Sequence, residues 1–580
     1  MKKIYSILLI VAVAMLGLTL YSCGGDDDKH TPSPSPTPTP TPTKVAVTGV
    51  SLSKTTLTLT EGDSETLTAT VSPDNATTKT VTWSSSDANV ASVADGKVTA
   101  KKAGNAIITV TTTDGSKTAT CSVTVKPKET PVTSIALPEP ATMPLLHNGE
   151  DMTLQATITP QEATATAKLT WASSDEKIAT VDQNGKVTAV APGNATITVT
   201  AENGSVKAEY KLEVFIGFDD ALVEEICVAN WDKDANGVLS LAEAEAVTEI
   251  KNLNREFKET AITSFNELDY FTNVKNIFDE SFKDCSALTG IKLPESLEQI
   301  GLYAFKGCTS LTSIIIPSKV TVIDEEAFKD CGVYNVTLPE HMTAIGSSAF
   351  YNCKNLQAID LPKGLTSISK EAFQGCYSLQ AIDIPEGVTE VLENAFANCT
   401  KLQYVKLPST LQAIKGYAFY RCPLEEIDIP ANVATIGDCA FDSGGIKKVV
   451  LHEGLKTIGN QVFASNKLKE LTLPEGLTSI GDFAFVYSEE LKTVTIPASV
   501  EYIGKRAFDN SDKLESVVFK STQPATLGED ALKTAKAIYV PSSAVSAYKT
   551  AWSEYASKIV DAAQAYDDTN NPFSTDPYTW

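Results

Sequence analysis

Between residues 282 and 519, apolar and polar positions return on a fixed period. Phenylalanine recurs at Phe282, Phe305, Phe328, Phe350, Phe373, Phe396, Phe419, Phe441, Phe463, Phe485 and Phe508, each 22 or 23 residues after the last. Three residues after each of the first seven stands a cysteine: Cys285, Cys308, Cys331, Cys353, Cys376, Cys399 and Cys422. A proline column starts at Pro294 and recurs in each coil to Pro497 except where His452 stands, and Lys520 takes its place in the last coil. Before each proline lies a run such as Leu311-Thr-Ser-Ile314-Ile-Ile316, and after it a second apolar step, ending at Ile300, Ile323 or Ile345 in the first coils. One such coil cannot bury its apolar face alone, so the period predicts a solenoid. The run before the proline predicts a short strand, with Leu311, Ile314 and Ile316 inward and Thr312, Ser313 and Ile315 outward. Proline ends the strand by removing a ladder donor. Asp324-Glu-Glu-Ala-Phe328-Lys suits about one helical turn opened by an acidic residue. With strands ~4.8 Å apart, eleven coils make an array roughly 50 Å long.

The strand segment, proline, Ile-Gly step, Ala-Phe pair and Cys resemble the leucine-rich repeats of BspA-like bacterial surface proteins, as Leu491 to Phe508 illustrates. Nearly half the chain carries the pattern. The cysteine column stops after Cys422, where Gly444, Asn466, Ser488 and Ser511 take its place. Uniform packing, rather than the fold, is what this departure puts in question.

Residues 45–126 and 131–214 carry a different, period-two pattern, twice over. Trp83 is matched by Trp171, Gly96-Lys-Val-Thr-Ala100 by Gly185-Lys-Val-Thr-Ala189, and Gly104 by Gly193. Short alternating stretches split by turn residues predict β-sandwiches. Both copies resemble group 2 bacterial Ig-like domains, a resemblance that implies spacers. The fold class is thus mainly β: two Ig-like sandwiches, then a leucine-rich repeat solenoid over 263–560 with a C-terminal cap. In that cap Ala537-Ile-Tyr-Val540 reads as one more strand, and Tyr548, Trp552 and Tyr555 fall on one helical face, suited to covering the open end. The polar segment 561–580 has no period and is expected to be disordered.

Residues 216–262 read as a small helical, EF-hand-like N-terminal cap. Asp232-Lys-Asp234-Ala-Asn236-Gly237-Val238-Leu-Ser240-Leu-Ala-Glu243 fills every fixed position of the calcium loop D-x-[DN]-x-[DN]-G-x5-E. Ca²⁺ takes about six to eight oxygens. Asp232, Asp234 and Asn236 would supply side chains, Val238 its carbonyl, Ser240 a water-mediated contact and Glu243 a bidentate carboxylate. The stretches 221–230 and 241–250 read as flanking helices. One unpaired loop points to a structural calcium that pins the cap over the first coil.

The chain begins as an exported protein would. Lys2 and Lys3, an apolar run from Ile4 to Leu20, then Tyr21-Ser-Cys23 read as a signal peptide over 1–22. The run is short for a membrane span. The segment resembles a lipoprotein signal, which implies Cys23 as the site of lipid attachment and the membrane as a partner through that anchor. Asp26, Asp27 and Asp28 look like the tag that sends some Gram-negative lipoproteins to the outer face of the outer membrane. The Thr/Pro-rich stretch within 23–44 cannot form a core and should extend as a polyproline II stalk.

Composition narrows the function. A net charge of −24 argues against nucleic acid as a partner. The four histidines, His30, His147, His341 and His452, are scattered, and no nucleophile–base pair, carboxylate pair or phosphate loop stands out, so no catalysis is expected. Seven of the eleven cysteines form the repeat column. Side chains stacked in parallel rarely reach disulfide dihedrals, so reduced, packed thiols are expected; Cys121, Cys227 and Cys439 are isolated. The outward strand positions Lys292, Ile315, Thr337, Asp360, Asp383, Lys406, Asp428, Val450, Thr472, Thr495 and Val518 vary while the inward ones do not. Such a row suits a binding surface. Asp360, Asp383, Lys406, Asp428 and the exposed aromatic Tyr404 are the candidate ligand-binding residues. Few aromatics lie there, so extracellular or host surface proteins are the expected partners. Carbohydrate binding or processing is the alternative.

Overall fold

A computed structural model describes residues 43–566, apart from Thr166, 203–205 and 252–255. Cys23, the signal segment, most of the stalk and residues 567–580 lie outside the described residues. The chain divides into two compact units, Met1–Glu129 and Thr130–Trp580.

In the first unit, the strands Thr56–Thr60, Thr118–Lys126, Gly104–Thr112 and Val81–Ser85 form one sheet in that order. A second sheet joins Ser64–Thr66, Lys97–Ala100 and Ala91–Ala94. Alternate residues turn inward, so Leu57, Leu59, Val98, Ile108, Cys121 and Val123 form the core between the sheets. The second unit opens with a sandwich of the same design, whose main sheet orders Leu146–His147, Lys207–Phe215, Gly193–Ala201 and Leu169–Ser173. The repeated Gly-Lys-Val-Thr-Ala has a steric cause. A Cβ on Gly96 would lie 2.5 Å from the Leu67 carbonyl oxygen, and one on Gly185 would lie 2.5 Å from that of Leu154. Both glycines also have left-handed backbone, φ 86° and 80°, which L side chains avoid.

The strand Lys207–Phe215 runs directly into the cap. There Ile216 donates its N–H to the Leu239 carbonyl at 2.9 Å, and Gly217 donates to Asn148 Oδ1 at 2.6 Å. Helix α1 (Ala221–Trp231) is capped by Asp220, whose Oδ1 accepts from the N–H of Leu222 and Val223. The other oxygen of Asp220 accepts from Thr263 N–H and hydroxyl at 2.6 and 2.7 Å, tying the helix start to the first coil. Val223, Ile226 and Cys227 join one core with Phe257, Phe265 and Phe282. Helix α2 is shorter than the expected 241–250: it spans Leu241–Glu245, closed at its start by a Ser240–Glu243 capping box. Glu249–Ile250 instead forms the first solenoid strand, paired in parallel with Asn276–Ile277. Pairing to a neighbouring coil overrides the local helical pattern.

The solenoid has about 13 turns. Phe257 adds one before the eleven repeats, and Leu532, in place of Phe, one after. Each turn presents two short strands. The run before proline behaves as expected: in Ser313–Ile315, Ile314 is buried and its neighbours exposed. The apolar step after proline is also a strand. It builds the longer ladders, five-stranded from Glu249–Ile250 to Ala344–Ile345 and eight-stranded from Ser367–Ile368 to Thr526–Leu527. Isoleucines stack in register there, Ile277 on Ile300 on Ile323 on Ile345.

Between coils the Phe rings from Phe282 to Phe508 form an unbroken stack, all fully buried, with successive centroids 5.2–5.6 Å apart and interplanar angles of 4–13°. The helical turn expected at Asp324 to Lys329 is not formed. Phe305 donates its N–H to Ala327 of the next coil and Phe328 to Ala349, both at 2.8 Å. Donors spent between coils are lost to any i to i−4 helix bond. Left-handed residues such as Glu326 (φ 53°) and Asp330 (φ 61°) bend the corner instead.

All ten described cysteines are free and buried. Each thiol of the repeat column donates to a Phe carbonyl of the preceding coil, as Cys308 does to Phe282 at 3.1 Å and Cys353 to Phe328 at 3.1 Å. Burial pushes the Cys285 and Cys353 thiols up to about 12. Where cysteine stops, Asn466 Nδ2 donates to the Phe441 carbonyl at 2.8 Å, Ser511 to that of Phe485 at 3.5 Å and Thr534 to that of Phe508 at 2.6 Å. At these positions a small buried donor serves the carbonyl, as thiol, hydroxyl or amide, whereas Gly444 has no side chain to do so and the buried Ser488 hydroxyl has no partner.

At the far end, Ala537–Val540 is the expected strand, and Ile559–Asp561 pairs beside it in parallel. Tyr548, Trp552 and Tyr555 are buried over the last coils, with Trp552 Nε1 donating to the Ala525 carbonyl at 3.0 Å. They do not share one helix. Helix α3 (Val545–Ala551) ends before Trp552, and Tyr555 sits in a 3₁₀ turn. Order also runs past Asp561, since Ala562–Tyr566 forms a further 3₁₀ turn where disorder was expected.

One cap residue is electrostatically ill-placed. Glu267 is 6% exposed; its Oε1 accepts from Asp219 N–H at 3.2 Å, while Oε2 has no partner. Burial pushes its carboxyl pKa up, and the Asp219 charge adds to the rise. The folded state thus holds this proton more tightly than the unfolded chain does at about pH 4.3. Its contribution to stability is full below that value and falls as pH rises through the raised one. Glu267→Gln is therefore expected to raise the melting temperature near neutral pH and to flatten the decline with pH. An equal shift at pH 4 and pH 7 would contradict this.

Candidate functional site

The outward strand positions form one solvent-facing row. Asp360, Asp383, Tyr404, Lys406 and Asp428 are all exposed, Tyr404 at 55%. Val518 departs from the row: it lies in Ser516–Phe519, every residue of which is buried, on the coil where Trp552 packs against Phe519 at 4.9 Å.

The row is not uniform along its length. The ladder before the proline is interrupted at several points; at one of them it stops after Tyr404–Lys406, and Glu426–Asp428 pairs onward with Lys448–Val450. The coils change length at this point. The step from Phe396 to Phe419 takes 23 residues, and the next three steps take 22, one residue being lost between the Cys position and the proline position. A groove of about 1090 Å³ opens there. Tyr404 and Lys406 line it on one side of the break, Glu426 and Asp428 on the other, with Lys448 and His452 beyond. Three of the five sequence candidates thus share one concave site. Asp383 borders it as the register partner of Lys406, and Asp360 lies a further coil away.

Glu426, Lys448 and His452 were not among the sequence candidates. The signals were there in the Glu425-Glu426 and Lys447-Lys448 doublets and in the histidine that breaks the proline column. Asp428 Oδ1 lies 2.8 Å from His452 Nε2, and Lys447 pairs with Glu425 at 3.2 Å.

The second place where chemistry converges is the 232–243 loop. Asp232, Asp234 and Glu243 bring carboxylate oxygens within 4.8 Å of one another. Gly237 donates its N–H to Asp232 Oδ2 at 2.9 Å, and this bond leads the donors that hold that carboxyl below its usual range. Glu243 is buried, which raises its pKa, but the N–H groups of Ser240 and Lys233 and the Ser240 hydroxyl outweigh that and leave it lowered. The Asp232 and Glu243 carboxyls are therefore held toward the ionised form, and among the described residues no lysine or arginine closes an ion pair with the three acids. The Asn236 amide and the Ser240 hydroxyl are spent within the loop, on Asp234 and on Glu243. Val238 is buried behind them. An all-oxygen donor set of this charge fits a hard divalent cation such as Ca²⁺. Across the junction, the carboxyl of Glu213 on the last Ig-like strand is raised first by burial and then by the charges of Asp234 and Glu243.

Parallel coils of 22 or 23 residues with leucine, isoleucine and phenylalanine inward define a leucine-rich repeat solenoid. Within that class the chain belongs to the BspA-type leucine-rich repeat family, whose model matches residues 248–335, 321–444 and 434–543, just over half of the chain. Residues 46–123 and 131–212 match the group 2 bacterial Ig-like domain. Among curated relatives, an uncharacterized protein of Clostridium acetobutylicum is 38% identical over 143 residues, 24% of this chain and 14% of its own. An alpha-L-arabinofuranosidase of Bifidobacterium longum is 45% identical over 131 residues, 21% of this chain and 11% of the enzyme. Of solved structures, a leucine-rich repeat protein from Bacteroides ovatus aligns at 24% identity over 46% of this chain and 87% of its own, with a TM-score of 0.33. A leucine rich cell surface protein from Faecalibacterium prausnitzii aligns at 25% identity over 47% and 80%, with a TM-score of 0.31. Among the described residues no helix is long and apolar enough to cross a membrane.

Proposed function

We propose that the protein is a lipid-anchored surface protein whose solenoid binds extracellular protein partners through its outward strand row, without catalysis. The observation that carries this reading is the contrast within each coil. Buried positions repeat from turn to turn, while exposed positions on the same strands change, and at 404–452 they line a preformed groove. A stiff spine with a freely varied face suits recognition, because docking on it orders little that was mobile. Cys23 would carry the lipid, the Thr/Pro stalk and Ig-like copies would hold the solenoid away from the outer membrane, and Ca²⁺ bound by Asp232, Asp234, Asn236, Val238, Ser240 and Glu243 would brace the cap.

A carbohydrate-binding or carbohydrate-processing role draws on two observations: the exposed ring of Tyr404, and relatives named as glycosidases. Those enzymes match over only 5–11% of their length, and one aromatic ring is a small platform for sugar.

The test is capture of purified extracellular matrix and surface proteins by the full-length protein, run against a glycan array. Protein capture that falls in Asp360→Lys, Asp383→Lys, Tyr404→Ala or Asp428→Lys supports the reading. Glycan binding alone, turnover of any glycan, or protein capture indifferent to all four changes overturns it.

A further inference from the structure

The groove separates its charges in an unusual way. Asp383 stands directly opposite Lys406 in the parallel ladder, and Glu426 directly opposite Lys448. Opposite charges in such positions are well placed to pair. Yet among the described residues neither couple closes an ion pair, although Lys447–Glu425 does so on the same two coils at 3.2 Å. All four side chains are exposed. Along the solenoid axis their signs run negative, positive, negative, positive. The ladder break falls between the second and the third, where the groove opens.

Resting on the interaction reading above, we propose that this groove takes an extended polypeptide segment bearing both basic and acidic side chains, seated across the break between Lys406 and Glu426. The occupant follows from charge. The hydroxyls of neutral oligosaccharides can hydrogen-bond to a lysine or a carboxylate but carry no charge to answer either. Anionic glycans would answer Lys406 and Lys448 but meet Asp383, Glu426 and Asp428 with repulsion. A partner that engages only through an apolar patch is disfavoured because the exposed lining supplies one aromatic ring, Tyr404, and little other apolar anchor. A polypeptide carries cations and anions on one backbone and so answers both signs. Tyr404, next to the break, gives such a segment one apolar contact.

The experiment uses the full-length protein and synthetic peptides of about 12 residues, long enough at ~3.3 Å per residue to cross the groove. One set carries Lys and Glu in alternating blocks, a second is its sign-inverted counterpart, and others carry only Lys or only Glu. Neutral and sulfated oligosaccharides complete the panel. A mixed-sign set should bind best, with affinity that falls as salt rises. Glu426→Lys should weaken it about tenfold. Exchanging both couples, Asp383→Lys with Lys406→Glu and Glu426→Lys with Lys448→Glu, inverts the whole row at unchanged net charge and should transfer preference to the sign-inverted set. All-Lys or all-Glu peptides binding as well as the mixed sets would overturn the inference, as would oligosaccharide binding alone or indifference to the exchange. If matrix-protein capture survives the exchange but is lost in Asp360→Lys, the inference fails while the interaction reading stands. If no outward substitution alters capture, the reading itself fails.

Discussion

Phe373→Ala is expected to remove about 3–5 kcal/mol of stability, the usual loss for emptying a fully buried aromatic site. Phe373 stands mid-stack, 5.5 Å from Phe350 and 5.3 Å from Phe396, with no exposed surface. Its removal leaves a void faced by two rings whose backbones are fixed by hydrogen bonds between coils, Phe350 to Ala372 and Phe396 to Ala418, so the void cannot collapse without breaking those bonds. Because each coil touches only its neighbours, the damage should also divide the array: denaturant unfolding followed by circular dichroism should change from one transition to two. Phe373→Leu is the informative companion. Leu532 already occupies the equivalent place in the last turn, so leucine fits the coil and should cost less than about 1.5 kcal/mol. An unfolding midpoint for Phe373→Ala within error of the parent would mean that the ring stack does not carry the fold.

That stack was legible in the sequence because burial in a repeating coil imposes the same requirement every 22 or 23 residues. Phe, Ile and the strand-ending proline recur for one steric reason each. The cysteine column was legible as buried thiol but not as donor, since the Phe carbonyl it serves lies in another coil. Asn466 and Ser511 reveal the rule only once that carbonyl is seen above them. The helical turn expected at Asp324 to Lys329 is absent, although its residues favour helix locally, because the N–H groups of Glu326 and Phe328 are claimed by the carbonyls of Ser347 and Ala349 in the next coil. The same competition ended α2 at Glu245. The groove was least legible. Glu426 and Lys448 are ordinary surface residues by composition, and only the register that sets them face to face, beside a break in the ladder, makes them a candidate site.

Withdrawal of calcium is expected to lower the melting temperature of the parent protein, with no such effect in Asp232→Ala. Three acidic side chains bring their oxygens within 4.8 Å of one another, an arrangement that like-charge repulsion disfavours unless a cation sits among them. A ligand held only by the folded state adds RT ln(1 + [L]/Kd), about 2.7 kcal/mol at a hundredfold excess over Kd. The effect should reach beyond the loop. The Leu239 carbonyl, within the loop, accepts from Ile216 at the end of the Ig-like strand, and α1, which leads into the loop, is tied through Asp220 to Thr263 of the first coil. Loosening 232–243 therefore loosens both the junction with the Ig-like domain and the lid over the Phe stack. Hydrogen exchange should show amides at 216–263 losing protection in EDTA before those of the central coils. Glu243→Gln separates the two roles of that residue. Glutamine retains the capping box with Ser240 but gives up charge, so the cap should fold while its calcium response weakens. Identical melting curves for the parent protein in Ca²⁺ and in EDTA would remove the ion from this account and leave the loop as a helix-capping turn with an unusual charge.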